Sequence, residues 1–340
     1  MLHLLFSIRQ SVLKRVLAAS VVIATTACGG GGGGGDTPGG GGPLTATGSV
    51  VYSDTERVSG RLERVIKVMN IATRAATMYV AGDFIKGGPS VSQGGTIAHM
   101  IEGDDVVEIK LTRLNGQFIR SFTYAEELTF PLSGAAISPD GLRVAFAQNR
   151  FSPDIDARED AVYVCNTSGT PSCKFYFNLR DPGWLGNSKL VAVSGNDQKR
   201  LFTIDVVSDT VRQTGATQTS KIQNPTGTPD GQYIVFNTDG VGDLVAMNIS
   251  TGATRNISRD GVGPFKAQVS PDGRTLAYLE QCCGSASTGG TFAGGPALRA
   301  VPFDVNGVFT AGVTVNLVRD AQGNPIPIRG GEYGITPAVN

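Results

Sequence analysis

One turn is written three times in this chain. Ser138–Gly141 and Ser270–Gly273 read "SPDG", and Thr228–Gly231 reads "TPDG". Two residues separate each glycine from a short apolar run: "VAF", "IVF" and "LAY". Proline presets φ near −65° at the first corner, aspartate bonds local amides, and glycine takes the left-handed position. Asp140, Asp230 and Asp272 are therefore read as turn chemistry rather than as catalytic carboxylates. A turn repeated with its following strand implies a repeated supersecondary unit, which fixes the architecture before any other feature.

Weaker copies complete the series. "SQGGTIAHM" (Ser92–Met100) and "WLGNSKLVAV" (Trp184–Val193) align with the three turns. Taking Gly94 and Ser188 as counterparts of the turn glycine, the marks fall at 94, 141, 188, 231 and 273, spaced 47, 47, 43 and 42. A second block follows each turn: an alternating strand, a tight turn, another strand. Its six copies begin at Arg64, Val106, Ala161, Arg200, Leu244 and Leu298. Alternation of apolar and polar residues suits strands half-buried between neighbouring sheets. A period of this size with four short strands per unit is the pattern of a β-propeller. "YGITPAVN" (Tyr333–Asn340) supplies the missing innermost strand, and "GSVVYSD" (Gly48–Asp54) reads as the strand that follows such a turn. The expected fold is all-β: residues 46–340 form six four-stranded antiparallel blades, closed by the C-terminal strand pairing in the first blade.

The first 27 residues read as an export signal. Arg9, Lys14 and Arg15 precede the uncharged Val16–Ala27, whose 12 residues are too short to span a hydrocarbon core of about 30 Å. "TTAC" places a small residue before Cys28, as in a bacterial lipobox, so Cys28 is the expected site of lipidation; ordinary cleavage after Ala27 cuts the same bond. The Gly-rich stretch that follows, within residues 28–45, is a flexible tether reaching about 20 Å. The chain is thus expected to be exported as an outer-membrane lipoprotein, held to the membrane by lipid alone. Removing residues 1–27 leaves 26 Lys+Arg against 29 Asp+Glu, which gives no electrostatic footprint for nucleic acid.

Cys165 and Cys173 bracket a turn-rich stretch between two strand-like runs, a hairpin disulfide in an exported chain. Cys282 and Cys283 are adjacent, compatible with a vicinal bridge, two thiols or an intermolecular bond. His99, the one histidine after the signal, aligns with Tyr278 inside a strand and reads as a core residue. No cofactor is expected. Two acidic clusters, "NTDGVGD" with Asp239 and Asp243, and "SPDIDARED" with Asp154, Asp156 and Asp160, have the oxygen ligands calcium uses; a tight polar turn and a solvated loop are the plainer readings.

The repeated "SPDG..lAf" units in a six-blade count resemble the TolB-type β-propeller, over nearly the whole of residues 46–340. The resemblance implies a periplasmic propeller that binds other macromolecules. In a four-stranded blade the first-to-second and third-to-fourth turns share one face. The "SPDG" turns lie there, and all are short. The long insertions, Gln148–Asp160 and Glu280–Pro296, fall between second and third strands and so on the opposite face. Asp154, Asp156, Arg158, Asp160, Cys282 and Cys283 are the candidate binding residues, since long loops on a rigid scaffold carry binding. The expected function is a non-enzymatic binding or scaffold module for an envelope protein, peptide or polymer. The alternative is a propeller-face enzyme, such as a calcium-dependent hydrolase, lactonase or lyase.

Overall fold

The computed structural model describes residues 48–71, 73–81, 85–102, 107–124, 134–152, 154, 156–169, 172–239, 244–257, 264–273, 275–280, 297–303, 316–317 and 333–335. All belong to one compact unit, Gly41–Asn340. The signal segment, Cys28 and its tether, Asp243, Cys282 and Cys283 lie outside the described residues.

The strands fall into six four-stranded antiparallel sheets. Blade one holds β1 (Ser49–Val58), β2 (Arg61–Asn70) and β3 (Ala76–Ala81). Blade two is β4 (Ile85–Val91), β5 (Thr96–Glu102), β6 (Val107–Arg113) and β7 (Phe118–Tyr124). Blade three is β8 (Ala136–Ile137), β9 (Arg143–Ser152), β10 (Ala157–Asn166) and β11 (Cys173–Phe177). Blade four is β12 (Leu179–Leu185), β13 (Lys189–Ser194), β14 (Leu201–Asp205) and β15 (Thr210–Thr214). Blade five is β16 (Ile222–Gly227), β17 (Tyr233–Thr238), β18 (Leu244–Asn248) and β19 (Thr254–Asn256). Blade six is β20 (Pro264–Val269), β21 (Thr275–Glu280), β22 (Ala297–Pro302) and β23 (Asn316–Leu317). The last strand, β24 (Tyr333–Ile335), returns to blade one and pairs with β1, Val50 opposite Ile335 and Tyr52 opposite Tyr333. The ring closes as the sequence predicts.

The packing explains why the strands are so apolar. Successive side chains of a strand point to opposite faces of its sheet, and in a blade both faces are covered. Along β9, Val144 and Phe146 pack toward blade two, while Ala145 and Ala147 pack toward blade four. Six buried clusters result among the described residues, one for each interface between neighbouring blades. The cluster between blades six and one joins Val50, Tyr52 and Met69 to Leu279 and Leu298, so closure is apolar as well as hydrogen-bonded. His99 in β5 is fully buried. Cys165 and Cys173 are partners across β10 and β11 and form a disulfide, Sγ–Sγ 2.00 Å.

The repeated turns do what their residues dictate. Gly141, Gly231 and Gly273 have φ of 75°, 74° and 73°. Asp140 and Asp230 each accept the backbone N–H two residues on, at 3.0 Å, and the preceding Ser138 and Thr228 hydroxyls bond to them. In the two weaker units the corner is displaced from the expected position. It falls at Gly95 (φ 74°) rather than Gly94, and at Gly186 (φ 69°) rather than Ser188. Ser92 pairs back to Thr96, and Leu185 to Lys189, where Ser138 pairs back to Arg143. Each of these turns is one residue shorter; Gly95 stands three residues after Ser92, as Gly141 does after Ser138, whereas Gly186 directly follows Leu185.

A second correction concerns Gln148–Asp160. It is not a loop. β9 and β10 stay in register out to Ser152 opposite Ala157, with Asn149 opposite Asp160 and Phe151 opposite Arg158. Arg158 and Asp160 extend a β-hairpin arm, and Asp154 and Asp156 lie in the connection at its tip. Blade one has a matching arm. β1 and β2 pair out to Val58 opposite Arg61, around a tip at Ser59 (φ 50°) and Gly60 (φ 87°). Both arms join second to third strands and so share the face opposite the "SPDG" turns.

Candidate ligand-binding channel

Along the ring axis the innermost strands of blades two to six enclose a cavity of about 210 Å³. Its wall is made stiff by sequence: Pro89, Pro139, Pro182, Pro225, Pro229 and Pro271 all line it. Most of these strands are interrupted where they face the axis. Ladder register shifts between Lys86 and Ser90 in β4, Arg180 and Gly183 in β12, Gln223 and Thr226 in β16, and Phe265 and Gln268 in β20. Proline donates no ladder hydrogen bond and so is confined to bulges and edges of sheets. Pro89, Pro182 and Pro225 fall within these bulges.

The bulges place one residue of each blade at the same height. Four residues ahead of Ser92, Ser138, Leu185, Thr228 and Ser270 stand Gly88, Gly134, Asp181, Asn224 and Lys266, and all five line the cavity. Asp181, Asn224 and Lys266 have φ of 48°, 47° and 49°. Left-handed backbone suits glycine, asparagine and aspartate, but costs a lysine roughly 1–2 kcal/mol. Such strain persists where the surroundings over-determine it, and clusters at functional sites. Lys266→Gly is therefore expected to stabilise the fold by ~0.5–1 kcal/mol, glycine's own entropy offsetting part of the relief. A thermal melt reading no gain or a loss would show that Lys266 holds its conformation without strain.

The charges are arranged in line from the arm to the channel. Asp160, on the blade-three arm, accepts from Asn149 Nδ2 at 3.1 Å and lies 3.7 Å from an Arg180 nitrogen. Arg180 Nε donates to Asp181 Oδ2 at 3.3 Å. All three carboxylate and guanidinium groups are largely buried, with Asp160 16% exposed. Burial pushes the Asp181 carboxyl above the usual carboxylate range. Arg180 pulls it back, the Asp160 charge adds to the rise, and Lys266 across the channel opposes it. Since its native pKa is raised, its contribution to stability is present at acid pH and is lost as pH rises through that native pKa.

Trp184, the chain's one tryptophan, fixes the wall between blades three and four. Its Nε1 donates to the Ala136 carbonyl at 2.8 Å. Blades four and five meet backbone to backbone beside it. A Cβ on Gly183 would lie 2.1 Å from the Pro225 oxygen, and one on Gly227 would lie 2.6 Å from Leu185 Cα and the Trp184 oxygen.

Of the sequence-predicted residues that are described, only Asp160 joins this site, through Arg180. Asp154, Asp156 and Arg158 are exposed near the tip of the blade-three arm. Asp239 donates its N–H to the Lys221 carbonyl, one step beyond the β16–β17 ladder. Asn237, from the same acidic stretch, donates its side-chain amide to Pro264 of blade six. Sequence reasoning passed over Asp181, Asn224 and Lys266. The available signal was their constant distance ahead of each turn, spaced 47, 43 and 42 from Gly134 onward.

No family model matches the chain, and no curated protein matches it in sequence. Solved structures match its fold. A TolB-type protein of Agrobacterium tumefaciens is 15% identical, with a TM-score of 0.55, covering 86% of this chain and 97% of that one. A chain of the nidogen/laminin complex is 14% identical, with a TM-score of 0.55, covering 86% and 98%. The fold is that of a TolB-like six-bladed propeller.

Proposed function

We propose that the chain is an exported binding module, anchored through Cys28, that docks an envelope protein, peptide or polymer on the face bearing the two hairpin arms. One observation carries this reading: the Asp160–Arg180–Asp181 series runs from an arm into the channel wall, so that face combines projecting contact surfaces with a polar opening. The signal, lipobox and tether of the sequence support export and anchoring. β1 starts from the "SPDG" face, so a tether leading into it leaves the arm face pointing away from the membrane. That propellers of this fold occur in protein complexes, as in the nidogen/laminin structure, supports a macromolecular partner.

Photo-crosslinking in cells tests it. A crosslinking amino acid at Ser59 or Arg158, both exposed on the arms, is expected to trap a partner. The same residue at Leu142 or Val207, 56% and 70% exposed on the turn face, is expected to trap none. Adducts confined to Leu142 and Val207 would reverse the assignment of faces.

A further inference from the structure

The channel carries a site of its own, smaller than any macromolecular interface. At the five equivalent bulge-level positions the polar side chains occupy one side of the ring. Asp181, Asn224 and Lys266 come from three consecutive blades, whereas Gly88 and Gly134 leave the other side open. Asn224 lines the cavity, and its side-chain amide makes no hydrogen bond among the described residues. At the bulges the stretches Asp181–Pro182, Asn224–Pro225 and Lys266–Ala267 drop out of the ladder register, and all six residues line the cavity.

From this arrangement we infer that the channel binds a short zwitterionic peptide of about dipeptide length, its ammonium group on Asp181, its carboxylate on Lys266 and its peptide unit against Asn224. Size, charge and stiffness each select this class. The volume of about 210 Å³ falls below the roughly 300–1,000 Å³ of pockets that take drug-sized ligands. Among the described residues, the linked charges of Asp160, Arg180, Asp181 and Lys266 are electroneutral. A ligand of net charge would leave an uncompensated charge in a partly dry site, which is costly; a zwitterion keeps the balance. Asp181 and Lys266 stand on blades four and six with Asn224 between them. A ligand with its charges at its two ends and a hydrogen-bonding unit in the middle follows that order. Asp181 and Lys266 both line the cavity, and the Lys266 charge opposes the rise in the Asp181 pKa. A wall built from prolines has little freedom to lose on binding, which favours affinity for a small ligand. This inference stands apart from any macromolecule docked on the arms.

Calorimetric titration of the purified protein with glycyl-glycine, N-acetyl-glycyl-glycine and glycyl-glycinamide tests it, with Trp184 fluorescence as a second readout from the cavity wall. Glycyl-glycine is expected to bind saturably, and either blocked form at least tenfold more weakly. Asp181→Asn is expected to remove the discrimination against the acetylated form, and Lys266→Gln that against the amide. Equal binding of all three probes by the unmodified protein, or no saturable binding of glycyl-glycine, overturns the inference. Glycine binding as tightly as glycyl-glycine overturns the dipeptide length. The comparison of probes needs no variant, so misfolding of Asp181→Asn or Lys266→Gln would not mask the result.

Discussion

Gly183→Ala is expected to destabilise the propeller by about 3 kcal/mol or more, at the upper end of what added methyl groups cost in packed interiors. The new Cβ would lie 2.1 Å from the Pro225 oxygen, and the neighbouring atoms are the Pro225 carbonyl carbon and the Thr226 Cα. All are backbone, so no side chain can swing aside. Relief requires β12 and β16 to part, which would loosen the cluster of Leu185, Val191, Ile222 and Phe236 between blades four and five. Gly227→Ala meets the same interface from the other side, at 2.6 Å from Leu185 Cα, and is expected to behave alike. In a thermal melt followed by circular dichroism this corresponds to a fall of roughly 5–10 °C in midpoint. Gly94→Ala is the control. Its Cβ would meet nothing nearer than 4.0 Å, so a change within about 0.5 kcal/mol is expected. A Gly183→Ala protein melting like the Gly94→Ala control would mean that the two inner strands are not in backbone contact.

Ending the chain before Tyr333 is expected to have the larger effect. It removes β24, the innermost strand of blade one and a neighbour of both β4 and β20. Val50–Tyr52 then becomes an open strand edge, which templates pairing with other chains. Insolubility on purification, or a melting midpoint lowered by roughly 10 °C or more, is the expected result, as for ~4 kcal/mol lost. A soluble truncated chain with the midpoint of the full chain would show that blade one stands without β24.

The architecture was legible because it is written in residues with one conformational use. Proline, aspartate and glycine at a corner, followed by an apolar run, leave little choice of local structure. Even where the turn degraded, at Ser92–Thr96 and Leu185–Lys189, a glycine remained to mark it. The channel was not legible in this way. Its five equivalent positions hold Gly88, Gly134, Asp181, Asn224 and Lys266, which share a place in the backbone and no side-chain chemistry. A bulge is specified by what the ladder omits, and omission leaves no residue pattern. The arm of blade one was missed for a different reason. Asp54, Glu56, Arg57, Arg61, Glu63 and Arg64 belong to strands that are paired on the full length of the arm. With water on both sides of an arm, its sequence need not alternate. Lys67 anchors its base through Asp54, at 2.8 Å, and Glu56.

Since every buried cluster lies between blades, no blade owns a core. A single blade is two half-interfaces, each completed only by a neighbour. This makes the molecule divisible in a particular sense. A backbone nick between β15 and β16, within residues 215–221, would separate blade four from blade five in the chain. The apolar cluster that joins those blades would be left intact, as would the Gln218 N–H bond to the Lys199 carbonyl. Two such fragments would each present a pair of unsatisfied apolar faces, and the surface that best fits each face is carried by the other fragment. Reassembly by complementation is thus built into the architecture. So is its failure, when the face of one fragment meets that of a second copy before its own counterpart.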